Sequence, residues 1–254
     1  MGRTLLEQAS EHVLRTSMEL GGNAPFLVLP SADIDTAVDA AMLGKFRNNG
    51  EACTAANRFY VHSSVAEQFT KALVEKASAL QVGPGIDPAT TLGPLLDEGA
   101  VAKVEELVAD AVERGARVLT GGRRPSAEEL PDGCAEGTYY LPTVLGDVPA
   151  DARVNREEIF GPVAPVIVLD DVDAMIAAAN DTEFGLMSYV TGADLAEVTA
   201  AAQRIESGMV AVNVGVASDA AAPFGGIKES GLGREGAAEG LDEYLETTYV
   251  RLPL

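Results

Sequence analysis

Short apolar runs alternate along this chain with longer segments in which apolar residues recur at a helical spacing. Runs typical of β-strands cover residues 16–20, 25–30, 57–62, 116–122, 162–170, 186–192 and 209–215. Helices are predicted over residues 33–46, 63–80, 97–115, 171–180, 193–208 and 237–245. Repeated strand–helix alternation is typical of an α/β fold with a largely parallel sheet. The run PVIVL at 165–169 is apolar on both faces, which predicts helices on both sides of that sheet.

Local signals mark the ends of several predicted helices. Asp33 or Asp35 is a candidate N-cap for the helix over 33–46. The apolar face of that helix is predicted to contain Ile34, Ala37, Val38, Ala41 and Met42. Ser64 and Glu67 have the spacing of a capping box for the next helix.

The remaining segments carry turn and surface signals. Residues 123–137 are rich in Pro, Gly and acidic residues and are predicted to form a surface excursion that contains Cys134. A Gly-rich loop follows residue 215 and leads into the last helix. The apolar tail over 247–254 is a candidate strand for pairing with the sheet edge of another subunit.

Composition and charge narrow the possible partners. The chain has 254 residues and a formal net charge of −21. A surface this acidic repels phosphate backbones and anionic lipid, so neither nucleic acid nor a membrane surface is an expected partner. No apolar run approaches the ~18 residues of a membrane span, and the N-terminus lacks the apolar region of a secretory signal.

Cysteine and histidine are scarce. The two cysteines, Cys53 and Cys134, lie in unrelated contexts and suggest no disulfide framework, which favours a reduced, cytoplasmic protein. No Cys/His spacing matches a zinc site, so no metal is expected. His12 and His62 lie outside polar, Gly-rich loops and are expected to be structural or surface residues.

Cys53 lies in the small, polar stretch NNGEACTAAN at residues 48–57. Its neighbours are too small to shield it, and a thiol attacks well only as the thiolate. Arg47 and Arg58 are the nearest cations in sequence. The residues leave two interpretations open, a nucleophile and an inert small apolar residue, and Asn49-Gly50 could equally form a plain hairpin turn.

Two further stretches contain acids in unusual settings. Glu19, at the end of a short strand, is followed by Gly21 and Gly22. Ligands of open α/β sheets gather at the carboxyl ends of strands, so Glu19 is either a general base with a raised pKa or a solvated or ion-paired acid. In EEIFGP at 157–162, the acids form either a loop pair or a hydroxyl-binding site beside Phe160.

A literal G-x-G-x-x-G occurs at Gly231, Gly233 and Gly236. No apolar strand leads directly into it, and too little chain follows for a second βαβ strand. We therefore interpret it as a glycine-rich loop for close backbone packing and not as a dinucleotide fingerprint.

Four stretches together resemble the aldehyde dehydrogenase superfamily. They are MELGGNAP (18–25), FRNNGEACTAANR (46–58), EEIFGPV (157–163) and PFGGIKESGLGREG (223–236), in matching order and spacing over essentially the whole chain. The ANR after the cysteine and the GREG…EYLE ending are most similar to succinate-semialdehyde dehydrogenases. The resemblance implies an aldehyde dehydrogenase-like α/β catalytic domain that oxidises an aldehyde to its acid with NAD or NADP.

The same resemblance implies roles for individual residues. Cys53 is the nucleophile that forms a thiohemiacetal and then a thioester, and Glu19 activates the water that hydrolyses the thioester. Glu158 binds the cofactor ribose, Phe160 borders the nicotinamide, and Lys103 approaches the adenine ribose.

Substrate recognition is implied at two further positions. Arg47 and Ser218 match ligands of the distal carboxylate of succinate semialdehyde, and an arginine with a hydroxyl donor suits a carboxylate. Some succinate-semialdehyde enzymes carry a second cysteine two residues after the nucleophile as a redox switch. Ala55 stands there in this chain, so no such local disulfide is expected.

Family subunits are longer than this chain, so the resemblance implies only a C-terminal, catalytic half. Residues 1–22 are expected to be a helix-plus-strand remnant of the cofactor-binding domain and residues 23–215 the catalytic domain. Residues 216–254 are expected to be the active-site loop, last helix and oligomerisation-type strand. The expected partners are a small aldehyde and either further copies of the chain or a missing N-terminal half. Alone, the chain is expected to be impaired; the rival hypotheses are an inactive remnant with a binding or assembly role and a cofactor-free thiol esterase.

Overall fold

The computed structural model describes residues 1–253, which form an α/β structure around one large sheet. The helices are α1 (Gly2–Ser10), α2 (Ile34–Phe46), α3 (Ser63–Ser78), α4 (Glu98–Glu113), α5 (Val172–Asn180), α6 (Leu195–Arg204) and α7 (Glu239–Asp242). The strands are β1 (Met18–Glu19), β2 (Ala24–Val28), β3 (Ala56–His62), β4 (Arg117–Thr120), β5 (Thr143–Gly146), β6 (Val163–Leu169), β7 (Phe184–Gly185), β8 (Met187–Thr191), β9 (Met209–Val212), β10 (Ile227–Lys228) and β11 (Gly231–Leu232).

Seven strands form the main sheet in the order β4-β5-β6-β3-β2-β8-β9. Every neighbouring pair is parallel except β4 and β5, which make an antiparallel edge. The predicted α/β fold with a largely parallel sheet is therefore confirmed. Within the described residues, no helix combines the length and apolar character that crossing a membrane requires.

Helices cover both faces of this sheet, as the doubly apolar strands predict. On β2, Phe26 and Val28 belong to a buried cluster that includes residues of α2 and α3. The alternate residue Leu27, and Leu29 just beyond the strand, face the opposite side and pack with residues of α5 and α6. Complete burial of such side chains contributes about 1.5–3 kcal/mol each to stability, which is why the central strands are the most firmly held elements.

Several predicted elements differ from the observed ones. Strand β5 was not predicted, because its four residues lie between Pro142 and a turn and carry no distinct periodicity. The strand predicted over 16–20 is observed only as the two-residue β1, which pairs with β11 outside the main sheet. The last helix is only α7, and residues 246–253 contain no strand. Pairing of the tail with another subunit stays a prediction.

The helix caps follow the sequence at α2 but not at α3. Asp33 caps α2 by accepting the Thr36 N–H at 2.9 Å. The predicted Ser64–Glu67 capping box of α3 is wrong, since β3 runs directly into the helix and its last residue, His62, takes the N-cap position. His62 Nδ1 accepts the Ser64 N–H at 3.3 Å, and Nε2 lies 3.0 Å from the Asp170 carbonyl oxygen.

The predicted chemistry lies at the opposite end of the sheet from the one expected. The stretches that contain Glu19, Cys53 and Glu158 directly precede the first residues of β2, β3 and β6, which are parallel neighbours. The expectation of a site at the carboxyl ends of strands is therefore wrong. That expectation assumed that Glu19 ends a strand of the main sheet. Glu19 instead belongs to β1, which pairs with β11 outside the main sheet.

Replacing His62 by Ala should lower the free energy of unfolding by about 1 kcal/mol, because an N-cap acceptor for α3 is lost. Urea unfolding followed by circular dichroism measures this change. Glu67→Gln is the matched control and should be neutral, since Glu67 makes no capping contact. Equal effects of the two substitutions would contradict the observed cap.

Candidate active site

The nucleophile candidate follows a tight turn between α2 and β3. Arg47–Gly50 form a kinked, non-helical turn in which Asn48, Asn49 and Gly50 all have positive φ, at 51°, 59° and 73°. Asparagine and glycine tolerate this left-handed region best, which explains their presence here. The hairpin interpretation of Asn49-Gly50 is wrong, because the turn joins a helix to a strand whose neighbours in the sheet are parallel.

Side chains of this turn bind the segment that precedes α4. The Asn49 carboxamide donates to the Pro94 carbonyl and accepts the Gly93 N–H, both at 2.9 Å. The Glu51 carboxylate accepts the Leu96 N–H, also at 2.9 Å. These bonds hold the nucleophile turn against the start of the helix that carries Lys103.

Backbone contacts bring the other two motifs against the turn. A Cβ on Gly50 would overlap the Gly161 carbonyl, and a Cβ on Gly22 would overlap the Cys53 carbonyl. The Gly22 N–H donates to Glu158 at 3.0 Å. The stretches MELGGNAP, FRNNGEACTAANR and EEIFGPV, far apart in sequence, therefore meet around Cys53.

Burial raises the pKa of the Cys53 thiol, and the carboxylates of Glu158 and Glu19 raise it further. The main-chain N–H groups of Cys53 and Thr54 lower the pKa and so oppose the shift. The thiol is half-buried, so a reagent can still reach it. No lysine or arginine is among the groups that shift this pKa, and in this arrangement the thiolate is the minor form near neutral pH.

Glu19 is held by the Gly-rich loop rather than by a strand of the main sheet. It pairs with Gly231 across β1 and β11, and one of its carboxylate oxygens is buried without a hydrogen-bond partner in residues 1–253. Burial raises its pKa to about 7, Glu235 raises it, and Arg234 lowers it. Such a carboxyl exchanges a proton near neutral pH, as a general base must.

Glu235 and Arg234 were not predicted as parts of the site. They reach Glu19 because Phe224 and Glu235 exchange two backbone hydrogen bonds of 2.7 Å, which fold the loop back on itself. Arg234 also donates to the Gly226 carbonyl at 3.0 Å. Both residues lie in the GREG stretch, which the sequence already singled out for its resemblance but not for a role.

The glycine pattern at 231–236 is used for packing, in line with its interpretation from the sequence. Gly231 has φ 143° and lies against the Met18 carbonyl, where a Cβ would overlap the main chain. The segment forms β11 and a loop rather than the turn between a strand and a helix of a βαβ unit.

Glu158 faces a cleft of about 600 Å³ whose walls include Leu20, Gly21 and Phe184. One carboxylate oxygen accepts the Gly22 N–H, and the other would lie 2.8 Å from a Cβ on Gly21. Burial raises the pKa of Glu158, whereas the Gly22 N–H and the ammonium groups of Lys103 and Lys45 lower it. The neighbouring Glu157 carboxylate is instead bound by Arg153 at 2.6 Å.

A carboxylate oxygen at a glycine-lined cleft is a suitable acceptor for ribose hydroxyls, and Lys103 supplies a nearby positive charge. Phe160, half-buried at φ 53°, lies two residues after Glu158 on the same turn. The residues present therefore fit a dinucleotide cofactor in this cleft.

Arg47 and Ser218 line one narrow cavity of about 10 Å³, together with Thr54 and Tyr189. Both are exposed, and neither side chain has a hydrogen-bond or ion-pair partner within residues 1–253. The structure thus brings the two predicted carboxylate ligands together beside the residue that follows Cys53.

Lys45 is a buried cation that the sequence analysis did not single out. Its side chain is fully buried in the last turn of α2 and donates to Asn57 at 2.8 Å, at the start of β3. Burial lowers its pKa to about 7, and Glu158 acts in the opposite direction. The residues around Lys45 in the sequence gave no signal that its ammonium group would be buried.

Replacing Glu158 by Gln should raise the rate at which iodoacetamide alkylates Cys53 at pH 8 by roughly threefold or more, because removing a carboxylate lowers the pKa of the thiol. Peptide mapping by mass spectrometry measures the rate. Glu157→Gln is the matched control, since Arg153 neutralises that neighbour. An unchanged rate in Glu158→Gln would show that the two groups do not interact.

Proton transfer by Glu19 should depend on pH. Cofactor-independent hydrolysis of p-nitrophenyl acetate should increase through a midpoint of about 7, because only the carboxylate form accepts a proton. Glu235→Gln should lower the pH midpoint, because it removes a negative charge that raises the pKa of Glu19. Glu239→Gln, an exposed neighbour on α7, should leave it in place. A midpoint that is the same in all three proteins contradicts this assignment.

Known proteins resemble this chain over nearly its whole length. A model described as the aldehyde dehydrogenase family matches residues 1–250. A succinate-semialdehyde dehydrogenase [NADP(+)] of Escherichia coli (strain K12) is 48% identical over 254 residues, which are 100% of this chain and 51% of that protein. A glutarate-semialdehyde dehydrogenase of Pseudomonas aeruginosa is 48% identical over 252 residues, 99% of this chain and 50% of that protein.

A crystal structure of an E. coli NADP-dependent enzyme superimposes with a TM-score of 0.92 at 48% identity, over 96% of this chain and 49% of that one. The chain thus spans about half the length of the curated relatives it matches. The family match extends over nearly all of the chain and includes every stretch that meets around Cys53. The chain belongs to the aldehyde dehydrogenase family.

Proposed function

We propose that this chain supplies the catalytic site for NAD(P)-dependent oxidation of an aldehyde with a distal carboxylate, most simply succinate semialdehyde, to the corresponding acid. One observation carries the proposal. Cys53, Glu19 and Glu158 come from three distant segments and converge at the amino ends of neighbouring strands, with Arg47 and Ser218 in one cavity beside them.

The proposed reaction begins with addition of the Cys53 thiolate to the aldehyde carbon, which forms a thiohemiacetal. Main-chain N–H groups at Cys53 and Thr54, which favour the thiolate, are candidate donors for the developing oxyanion. A bound nicotinamide would supply the hydride acceptor for that carbon, and Cys53 would then hold the substrate as a thioester.

Hydrolysis of the thioester is assigned to Glu19. Its carboxylate takes a proton from water as the water oxygen attacks the thioester carbon, and the bond to sulfur breaks to release the acid and the thiol. A pKa of about 7 suits a base that must be deprotonated for attack and must then pass the proton on. The partnerless, buried carboxylate oxygen of Glu19 is a natural acceptor for that water.

Glu158 and Lys103 are proposed to bind ribose hydroxyls of the cofactor, and Phe160 to border its nicotinamide. The cleft in front of Glu158 and the free face of its carboxylate support this assignment. The choice between NAD and NADP stays open, although the E. coli relative is named as an NADP(+) enzyme.

The carboxylate end of the substrate is assigned to Arg47 and Ser218. Two relatives of this chain are named for semialdehydes that end in a carboxylate, succinate semialdehyde and glutarate semialdehyde. An unpaired guanidinium beside a free hydroxyl forms charge-assisted hydrogen bonds with such a group.

A cofactor-free thiol esterase is the second candidate, and the Cys53–Glu19 pair supports it because neither step of ester hydrolysis needs a cofactor. Aldehyde-dependent formation of NADPH or NADH separates the two functions. It should be measured on this chain alone and on the chain within a polypeptide of family length, with Cys53→Ser as the inactive control. Ester hydrolysis without any NAD(P)H formation in the longer protein would refute the dehydrogenase proposal.

Replacing Arg47 by Ala should lower kcat/KM for succinate semialdehyde by about 10- to 100-fold, the range expected for one charge-assisted hydrogen bond. The value for butanal, which has no carboxylate, should change little. Arg156→Ala is the matched control, because Arg156 is also exposed but lies outside this cavity. Equal losses for both aldehydes would argue against a carboxylate-binding role for Arg47.

A further inference from the structure

Tyr189 links the centre of the sheet to the residue that follows the nucleophile. It lies on β8 with its side chain almost fully buried, and its ring stacks on Phe26 with centroids 5.6 Å apart. Its hydroxyl donates to the Thr54 carbonyl at 2.8 Å. Burial raises the pKa of Tyr189 to about 12, so the hydroxyl keeps the proton that it donates.

The backbone after Cys53 is confined at two successive peptide groups. The first contains the Cys53 carbonyl and the Thr54 N–H, and Gly22 packs directly against that carbonyl. The second contains the Thr54 carbonyl, which Tyr189 holds. Together these contacts restrict the main chain on the C-terminal side of Cys53.

Tyr189 also forms a wall of the cavity that Arg47 and Ser218 line. The same ring therefore borders the proposed anion site and, through its hydroxyl, holds the backbone at the nucleophile. Neither contact is needed for the sheet itself, because β8 is already paired with β2 and β9.

We propose that Tyr189 is a positioning residue for the nucleophile: its hydroxyl holds the Thr54 carbonyl and thereby fixes the main chain next to Cys53. The inference rests on the proposed function, in which Cys53 attacks the aldehyde. It adds that the reactivity of the thiol depends on a hydroxyl that acts through the main chain and not on the sulfur directly.

The chain contains a close control for this role. Tyr60 on β3 is also buried, and its hydroxyl also donates to a backbone carbonyl, that of Ala178, at 3.3 Å. That bond lies toward α5, on the other face of the sheet from Tyr189. Tyr189→Phe therefore removes a buried hydroxyl beside the nucleophile, and Tyr60→Phe removes the same kind of hydroxyl on the other face of the sheet.

The test compares the two variants by iodoacetamide alkylation of Cys53 across pH, with Cys134 as the reference thiol in the same chain. In Tyr189→Phe, alkylation of Cys53 near neutral pH should slow about 3- to 10-fold, the effect of one lost hydrogen bond. Its pH midpoint should move up, because the main-chain groups that lower the pKa of the thiol are no longer held in place, while Glu158 and Glu19 still raise it. Cys134 in both variants, and Cys53 in Tyr60→Phe, should react as in the unmodified chain.

A Cys53 rate in Tyr189→Phe within twofold of the unmodified chain overturns the proposal, and so does an equal loss in Tyr60→Phe. If Tyr189→Phe unfolds at a much lower temperature than Tyr60→Phe, a general loss of stability must be separated from loss of the hydroxyl. Phe26→Leu makes this distinction, because it weakens the packing against the Tyr189 ring but leaves the hydroxyl in place. Retained Cys53 reactivity in Phe26→Leu supports the hydroxyl role, and a loss as large as that in Tyr189→Phe overturns it.

The same assay separates failure of this inference from failure of the proposed function. If Cys53 responds to neither Glu158→Gln nor Glu19→Gln, the three groups do not form a site, and the proposed function fails. If Cys53 responds to those changes but not to Tyr189→Phe, the site stands and only the role of Tyr189 fails.

Discussion

Close contact between backbone segments is the constraint on which the site depends. Gly50 lies against the Gly161 carbonyl and Gly22 against the Cys53 carbonyl, with no space for a Cβ at either glycine. Main-chain atoms cannot move aside as the end of a flexible side chain can, so these contacts set the separation of the three motifs. Cys53, Glu19 and Glu158 are therefore placed by the backbone and not by contacts between their own side chains.

This placement has electrostatic consequences. A half-buried thiol with two acids nearby has a raised pKa, and its main-chain donors only partly compensate. The same burial gives Glu19 a pKa of about 7. The cations that act on the acids are Lys103 and the buried Lys45 for Glu158 and Arg234 for Glu19, whereas Arg47 lies at the narrow cavity. The Glu158 cleft and the cavity of Arg47 and Ser218 are therefore two separate spaces, the second of which borders Thr54, the residue after Cys53.

Much of the fold was predictable because the central strands and helices have clear periodicity. Phe26 and Leu27 on opposite faces of β2, and the buried face of α2, follow directly from the apolar pattern. The failures occurred where local pattern was weak or misleading. Strand β5 is too short to show a period, and Ser64 looked like a cap only because the continuous passage from β3 into α3 is not visible in the sequence.

The sequence by itself determined the α/β class, the Asp33 cap of α2 and the identity of the residues to examine, because each depends on neighbours along the chain. It left Cys53 and Glu19 undecided on local chemistry alone. Only the tertiary structure placed the motifs at the amino ends of β2, β3 and β6, brought Glu235 to Glu19, and joined Tyr189 to Thr54. Those relations depend on burial and on distances between segments that are far apart in the sequence, which no local pattern encodes.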